Sequence, residues 1–139
     1  MADPAAGWPL ARLVALAEGS PTEEVCGLLV RVGGTIAPWP AHNVAAEPAT
    51  AFELAPRDLL AALRRLDVEL GELVAVYHSH LAGGADLSAR DLAGALADGA
   101  PVLPGVAHLV VALEQGRATG LKVHRWTGSG FEASEPWSR

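Results

Sequence analysis

Only one cysteine, Cys26, occurs among the 139 residues. No internal disulfide can brace this chain, so its stability must come from packing or from a metal. Charge is sparse as well, at 19%, against 50% hydrophobic residues. That balance excludes a disordered tail and a coiled-coil rod, and it is enough apolar material for a real core. Basic residues are the scarcer sign: 10 Lys and Arg against 16 Asp and Glu leave a net charge of −6. With a pI near 5.2, a nucleic acid is not the expected partner, although Arg64 and Arg65 could form a local basic patch. Long hydrophobic runs are missing too. Each apolar stretch is broken by Gly, Pro or a charge before the roughly 18 residues that would span a bilayer. The opening Met1-Ala2-Asp3-Pro4 lacks the basic-then-apolar order of a secretion signal. The expectation is one cytoplasmic domain over residues 1–139, with no membrane contact and a peripheral tail from about residue 128.

What is present has mixed periodicity. Leu10, Leu13, Val14 and Ala17 recur at helical spacing, with Gly19 after them, so residues 9–18 predict an amphipathic helix. The apolar run 25–32, ending in Gly33-Gly34, predicts a buried strand and a turn. Residues 35–43 carry Pro38 and Pro40 and suit an edge strand or a loop; residues 51–54 predict another short strand. A second helix is expected over 56–70, with Pro56 in its first turn and Leu59, Leu63, Leu66 and Leu70 along one face. The run 73–77 reads as a central strand, ending in His78-Ser79-His80. A glycine-rich loop at 82–86 leads to Ser88, where a third helix can start and continue to about residue 97. Strands at 106–113 and 119–126, joined around Gln115-Gly116, precede a tail read as a short strand with a frayed end. Strands and helices without strict alternation favour a mixed sheet flanked by helices.

The chemistry concentrates in His78-Ser79-His80, Ser88 and Asp91. Residues i and i+2 of a strand share a face, so His78 and His80 can converge on one ion. Asp91, in the first turn of the third helix, can reach the same point if the loop folds back. Two imidazoles and a carboxylate fill three positions of a tetrahedral zinc site and leave the fourth for water. Such a site also needs a carboxylate to move the water proton. Glu24, at the mouth of the first strand, is the candidate. Ser88 and Asp91 also have a plainer reading. Ser-x-x-Asp opening a helix is a capping box, with Leu87 and Leu92 spaced as its hydrophobic staple. The two readings compete for the Asp91 carboxylate. Cys26 reads as a small core residue, with an inhibitory zinc ligand or redox role as a lesser alternative. His42, His108 and His124 have no ligand spacing to one another, and Trp8, Trp39, Trp126 and Trp137 read as core or edge packing.

Glu24-Val25-Cys26-Gly27-Leu28-Leu29, then His78-Ser79-His80, seven residues, Ser88, two residues and Asp91, resembles the JAMM (MPN+) zinc metalloprotease motif. Asn43, Phe52 and Pro56 also sit where short bacterial members commonly have such residues. The resemblance implies an α-β-α sandwich around a mixed sheet, of cytidine-deaminase-like JAB/MPN type. It implies zinc ligands His78, His80 and Asp91, Glu24 as acid/base and Ser88 as oxyanion stabiliser. It further implies a metallopeptidase or isopeptidase acting at the C-terminal Gly-Gly of a ubiquitin-like or sulfur-carrier protein. Leu81 and Leu87 stand where the family usually has prolines, which bears on loop rigidity more than on metal binding. Two other classes compete: a binding scaffold of the same fold without chemistry, and a zinc hydrolase of small amides. A deaminase is disfavoured, because its His-x-Glu and Pro-Cys-x-x-Cys signature is absent.

Overall fold

The computed structural model describes residues 5–139; the Met1–Pro4 stretch, read above for a secretion signal, lies outside them. The elements run Leu10–Glu18 (α1), Cys26–Val32 (β1), Thr35–Ala41 (β2), Pro56–Glu69 (α2), Glu72–His80 (β3) and Ala89–Ala95 (α3). They continue with Leu96–Ala97 (β4), Ala100–Pro101 (β5), Ala107–Glu114 (β6), Arg117–Trp126 (β7) and Phe131–Ser134 (β8). Six strands form one sheet in the order β2-β1-β3-β6-β7-β8. Only β3 and β6 pair in parallel; the other neighbours are antiparallel. The sheet is therefore mixed, as expected. The helices cover both faces, giving the α-β-α sandwich. None of the described helices is long and apolar enough to cross a membrane.

Side-chain alternation divides the sheet into two faces. Leu29, Ala75, Tyr77, Leu109, Val111, Leu121 and Val123 point to one side, where Leu13, Val14 and Ala17 of α1 close the larger core. Leu28, Val30 and Val76 point to the other side, under Leu66 of α2. His78 and His80 follow Val76 at the same parity, so they share the face of α2 and α3. Where β1 lies closest to its two neighbouring strands, only glycine fits. A Cβ on Gly27 would lie 2.6 Å from the Trp39 carbonyl oxygen and against the Tyr77 ring. This keeps β1, and hence Glu24, tight against its neighbours.

Several expectations need correction. Residues 51–54 contribute only an isolated bridge, Asn43 to Leu54. The leucine face of α2 is not a buried one: Leu66 is buried, but Leu63 is 41% and Leu70 92% exposed. That helix touches the sheet along a narrow line, and Leu70 is its C-cap, in the left-handed region at φ 55°. Gly71 serves close approach instead, since a Cβ there would lie 2.8 Å from both the Arg31 carbonyl and Leu66. The third helix stops at Ala95, because Leu96–Ala97 and Ala100–Pro101 form a small hairpin. Its Asp98-Gly99 turn is a sequence signal for such a hairpin. The C-terminal tail does not fray. Trp137 packs against the core beside α1, and Arg139 binds the Ala118 carbonyl and the Glu18 carboxylate.

Candidate metal centre

The strand β3 delivers its two histidines to one point. His78 Nε2 and His80 Nε2 are 3.1 Å apart. Asp91 Oδ2 lies 3.2 Å from the first and 3.0 Å from the second. A tetrahedral zinc with bonds near 2.0–2.1 Å has ligand atoms about 3.3 Å apart. The three atoms therefore already approximate one face of such a site. Glu24 joins them: its carboxylate and the two imidazoles offer donor atoms all within 4.8 Å of one another. His80 Nδ1–H donates to the Gly84 carbonyl at 2.8 Å, which leaves the Nε2 lone pair facing the cluster. His78 is fully buried, and Phe52 stacks on its ring with centroids 4.0 Å apart.

Capping and convergence turn out to be compatible. Ser88 Oγ accepts the Asp91 N–H at 3.0 Å, and Asp91 Oδ2 accepts the Ser88 N–H at 2.9 Å, so the capping box is formed. The same Oδ2 faces both imidazoles. An ionised carboxylate oxygen has more than one lone pair, so one backbone N–H does not exhaust it. Ser88 accepts in the cap and keeps its own O–H free to donate.

Glu24 is placed by residues for which sequence reasoning found no role. Ser79, the middle residue of the triplet, points to the opposite face and accepts the Val25 N–H at 2.8 Å, while its own N–H donates to the Val25 carbonyl. Asn43 Nδ2 donates to the Glu24 carbonyl and to the Ala51 carbonyl, both at 3.0 Å. Asn43 Oδ1 accepts from the Ala45 and Glu53 N–H groups. The Glu24 N–H reaches the Pro48 carbonyl at 2.7 Å. A polar residue inside an apolar strand was the available signal for Ser79.

A family model described as prokaryotic homologs of the JAB domain matches residues 9–127. The chain belongs to this prokaryotic JAB family. A desampylase from Haloferax volcanii is 35% identical over 118 residues, spanning 83% of this chain and 78% of that protein. A Desulfitobacterium hafniense protein solved in solution superposes with a TM-score of 0.69 at 24% identity, covering 91% of this chain and 85% of that one. A Salinibacter ruber protein, also solved in solution, gives 0.61 at 27% identity over 90% and 84% of the two chains.

In this JAB domain the electrostatics follow from burial. Glu24 is 5% exposed and its Oε1 has no hydrogen-bond partner. Burial pushes its carboxyl up to about 7, against the attraction of His80. Burial also lowers His78, whereas at His80 the Asp91 carboxylate and the Gly84 carbonyl overcome burial and raise it. Burial alone would raise Asp91, but the two imidazoles and the Ser88 N–H outweigh it and hold the carboxyl below its usual range. Cys26 is buried directly opposite His78 in the β1–β3 pairing, and desolvation pushes its thiol up to about 12. It stays a thiol and packs as a core residue. The glycine-rich loop is fastened rather than loose. Gly84 holds His80, the Ala85 carbonyl accepts from His124 at 2.9 Å, and Asp86 pairs with Lys122 at 2.8 Å. Leu81 and Leu87 pack into apolar clusters at either end, anchoring by burial a loop that prolines would stiffen covalently.

His108, which contributes no atom to the donor cluster, gives a further stability test. Burial first, then repulsion from His78 and from His124 opposite it, lowers its pKa from 6.5 to about 4, with Asp91 opposing. The folded state disfavours the proton, so this contribution is intact above pH 6.5 and is lost as pH falls through 4. Chelator-treated wild type should lose about 3 kcal/mol over that window from this group. Urea melts of His108→Gln should show a correspondingly shallower pH slope; equal slopes would remove His108 as the cause.

Proposed function

We propose that this domain is a zinc-dependent isopeptidase of the JAMM type. In this reading it cuts at the C-terminal Gly-Gly of a ubiquitin-like or sulfur-carrier protein, binding one zinc through His78, His80 and Asp91. The observation that carries the reading is the trio of donor atoms 3.0–3.2 Å apart, with an unpartnered, buried Glu24 carboxylate oxygen beside it. The similarity to a protein named desampylase supports hydrolysis at a ubiquitin-like modifier. Unpaired Cys26 is consistent with a cytoplasmic setting.

Zinc at this point would supply Lewis acidity toward a scissile carbonyl and a water acidified to a pKa near 7. The chain's own groups do the rest. Glu24, poised near neutrality, accepts the water proton and passes it to the departing amine. The free O–H of Ser88 donates to the oxyanion as charge develops there, a contribution of about 3 kcal/mol in comparable sites. Asp91 keeps the imidazoles oriented while capping the helix that presents it. The cleft over Glu24, His80 and Ser88 has walls that include Ala49, Thr50, Ala82 and Gly83. An extended tail laid in it presents glycines at the bond, with no side chain to meet those walls.

The test is hydrolysis of a ubiquitin-like carrier fused after its Gly-Gly to a reporter, by zinc-loaded wild type. Cleavage after the second glycine, stopped by a chelator and restored by zinc, is expected. No cleavage of any fusion by protein holding about one zinc per chain would favour the scaffold or small-amide alternatives. Cleavage that continues in excess chelator would exclude the metal mechanism.

A further inference from the structure

Between its anchored ends, Leu81 and Leu87, the glycine-rich loop has no local device that sets its backbone. It contains no proline. Its reversal uses Gly83 at φ 88° and Gly84 at φ 85°, the residue type with the least conformational preference. Yet the Gly84 carbonyl accepts the His80 Nδ1–H at 2.8 Å, the bond that turns the Nε2 lone pair toward His78 and Asp91. His78 is aimed differently, by full burial and by stacking against Phe52. His80, at the end of β3, is the donor whose aim depends on the loop.

What aims the Gly84 carbonyl comes from β7, two strands away from β3. That carbonyl shares a planar peptide with the Ala85 N–H, so ordering Ala85 orders it. Ala85 is held twice. Its methyl group is buried against Val110 and Ala112 of β6, and its carbonyl accepts the Nε2–H of His124 at 2.9 Å. His124 is 4% exposed and sits in the sheet between His108 of β6 and Ala133 of β8. Lys122, two residues earlier on the same face of β7, holds Asp86 at 2.8 Å. That outer pair is exposed and contributes little, whereas the His124 bond is buried. Resting on the metal site proposed above, we infer that His124 is a positioning residue for the metal centre. Through Ala85 it fixes the Gly84 carbonyl, and through that carbonyl the imidazole of His80; it touches neither metal nor substrate.

His124→Gln and His124→Asn separate this role from simple burial. A glutamine amide nitrogen can take the place of the imidazole Nε2 and donate to Ala85, while an asparagine amide reaches only the Nδ1 position. The full chain is titrated with zinc against a chromogenic chelator, and the visible absorption of the cobalt-loaded protein reports ligand geometry. His124→Asn should weaken zinc binding by about 10-fold, the lower end of the range for losing a group that orients a metal ligand, and should shift the cobalt bands. His124→Gln should stay within about twofold of wild type, with unshifted bands. Val123→Ala is the stability control, because Val123 is fully buried on the opposite face of β7. It should lower the melting temperature and leave zinc affinity and cobalt bands unchanged. If His124→Asn does not fold, Ala85→Gly loosens the same link from the loop side and should weaken zinc in the same way. Wild-type affinity and bands in His124→Asn, or in Ala85→Gly standing in for it, overturn the role. So does an equal loss in His124→Gln or in Val123→Ala. Weakened zinc in His124→Asn, with no Gly-Gly fusion cut by zinc-loaded wild type, leaves the positioning role standing and counts against the isopeptidase.

Discussion

Glu24→Gln should lower kcat by about 10²–10⁴-fold, the range for losing a positioned general acid/base, with about one zinc per chain retained. The carboxamide has nearly the same shape and keeps the backbone bonds to Pro48 and Asn43, but it cannot accept the water proton. Kinetics on a Gly-Gly fusion, paired with elemental analysis of the same preparation, separates loss of chemistry from loss of metal. A wild-type rate would end the assignment. The same variant should also alter stability. Burial holds the Glu24 carboxyl at about 7 in the folded state, above its ordinary value of 4.5, so folding favours the protonated form. Its contribution is present below pH 4.5 and is lost as pH rises through 7. Glutamine never ionises, so zinc-free Glu24→Gln should melt higher than zinc-free wild type at pH 8, with little difference at pH 4. A lower melting temperature at pH 8 would mean that the buried carboxylate is satisfied by something other than the metal.

The second large effect separates the two duties of Asp91. Asp91→Asn keeps an oxygen that can accept the Ser88 N–H, so the cap should survive with a cost below about 1 kcal/mol. It removes the negative charge, and zinc affinity should fall by 100-fold or more. Ser88→Ala does the reverse: it removes the acceptor for the Asp91 N–H and costs about 1 kcal/mol of stability. Zinc should remain at about one per chain, with kcat reduced through loss of the oxyanion donor. His78→Ala completes the set. It deletes a fully buried donor beneath Phe52 and should leave the protein without zinc. Metal content measured without chelators, alongside thermal melts, reads all three. If His78→Ala and Asp91→Asn both retained full zinc, Ser88 and Asp91 would be a helix cap and nothing more.

The sequence by itself placed His78, His80 and Asp91 on their elements, because each of these placements rests on a local rule. Strand parity puts His78 and His80 on one face, and helix-start chemistry puts Asp91 in the first turn after Ser88. It also gave the apolar strands at the centre of the sheet, and through Pro38 and Pro40 it narrowed residues 35–43 to an edge strand or a loop, of which the fold takes the edge strand β2. Other features required chain segments distant in sequence to meet. The competition for Asp91 dissolved only when one oxygen was seen to face a backbone N–H and two imidazoles together. Ser79 gained its role from Val25, 54 residues away, and Asn43 from four backbone groups that converge on it. The leucines of α2 carry a helical period whether the helix lies flat on a sheet or along its edge, so periodicity overstated their burial. His124 meets the Ala85 carbonyl from 39 residues away, a pairing that no local pattern relates. Periodicity and spacing describe what one element can offer; which offers are taken up depends on the desolvation and contacts that arise when the elements pack.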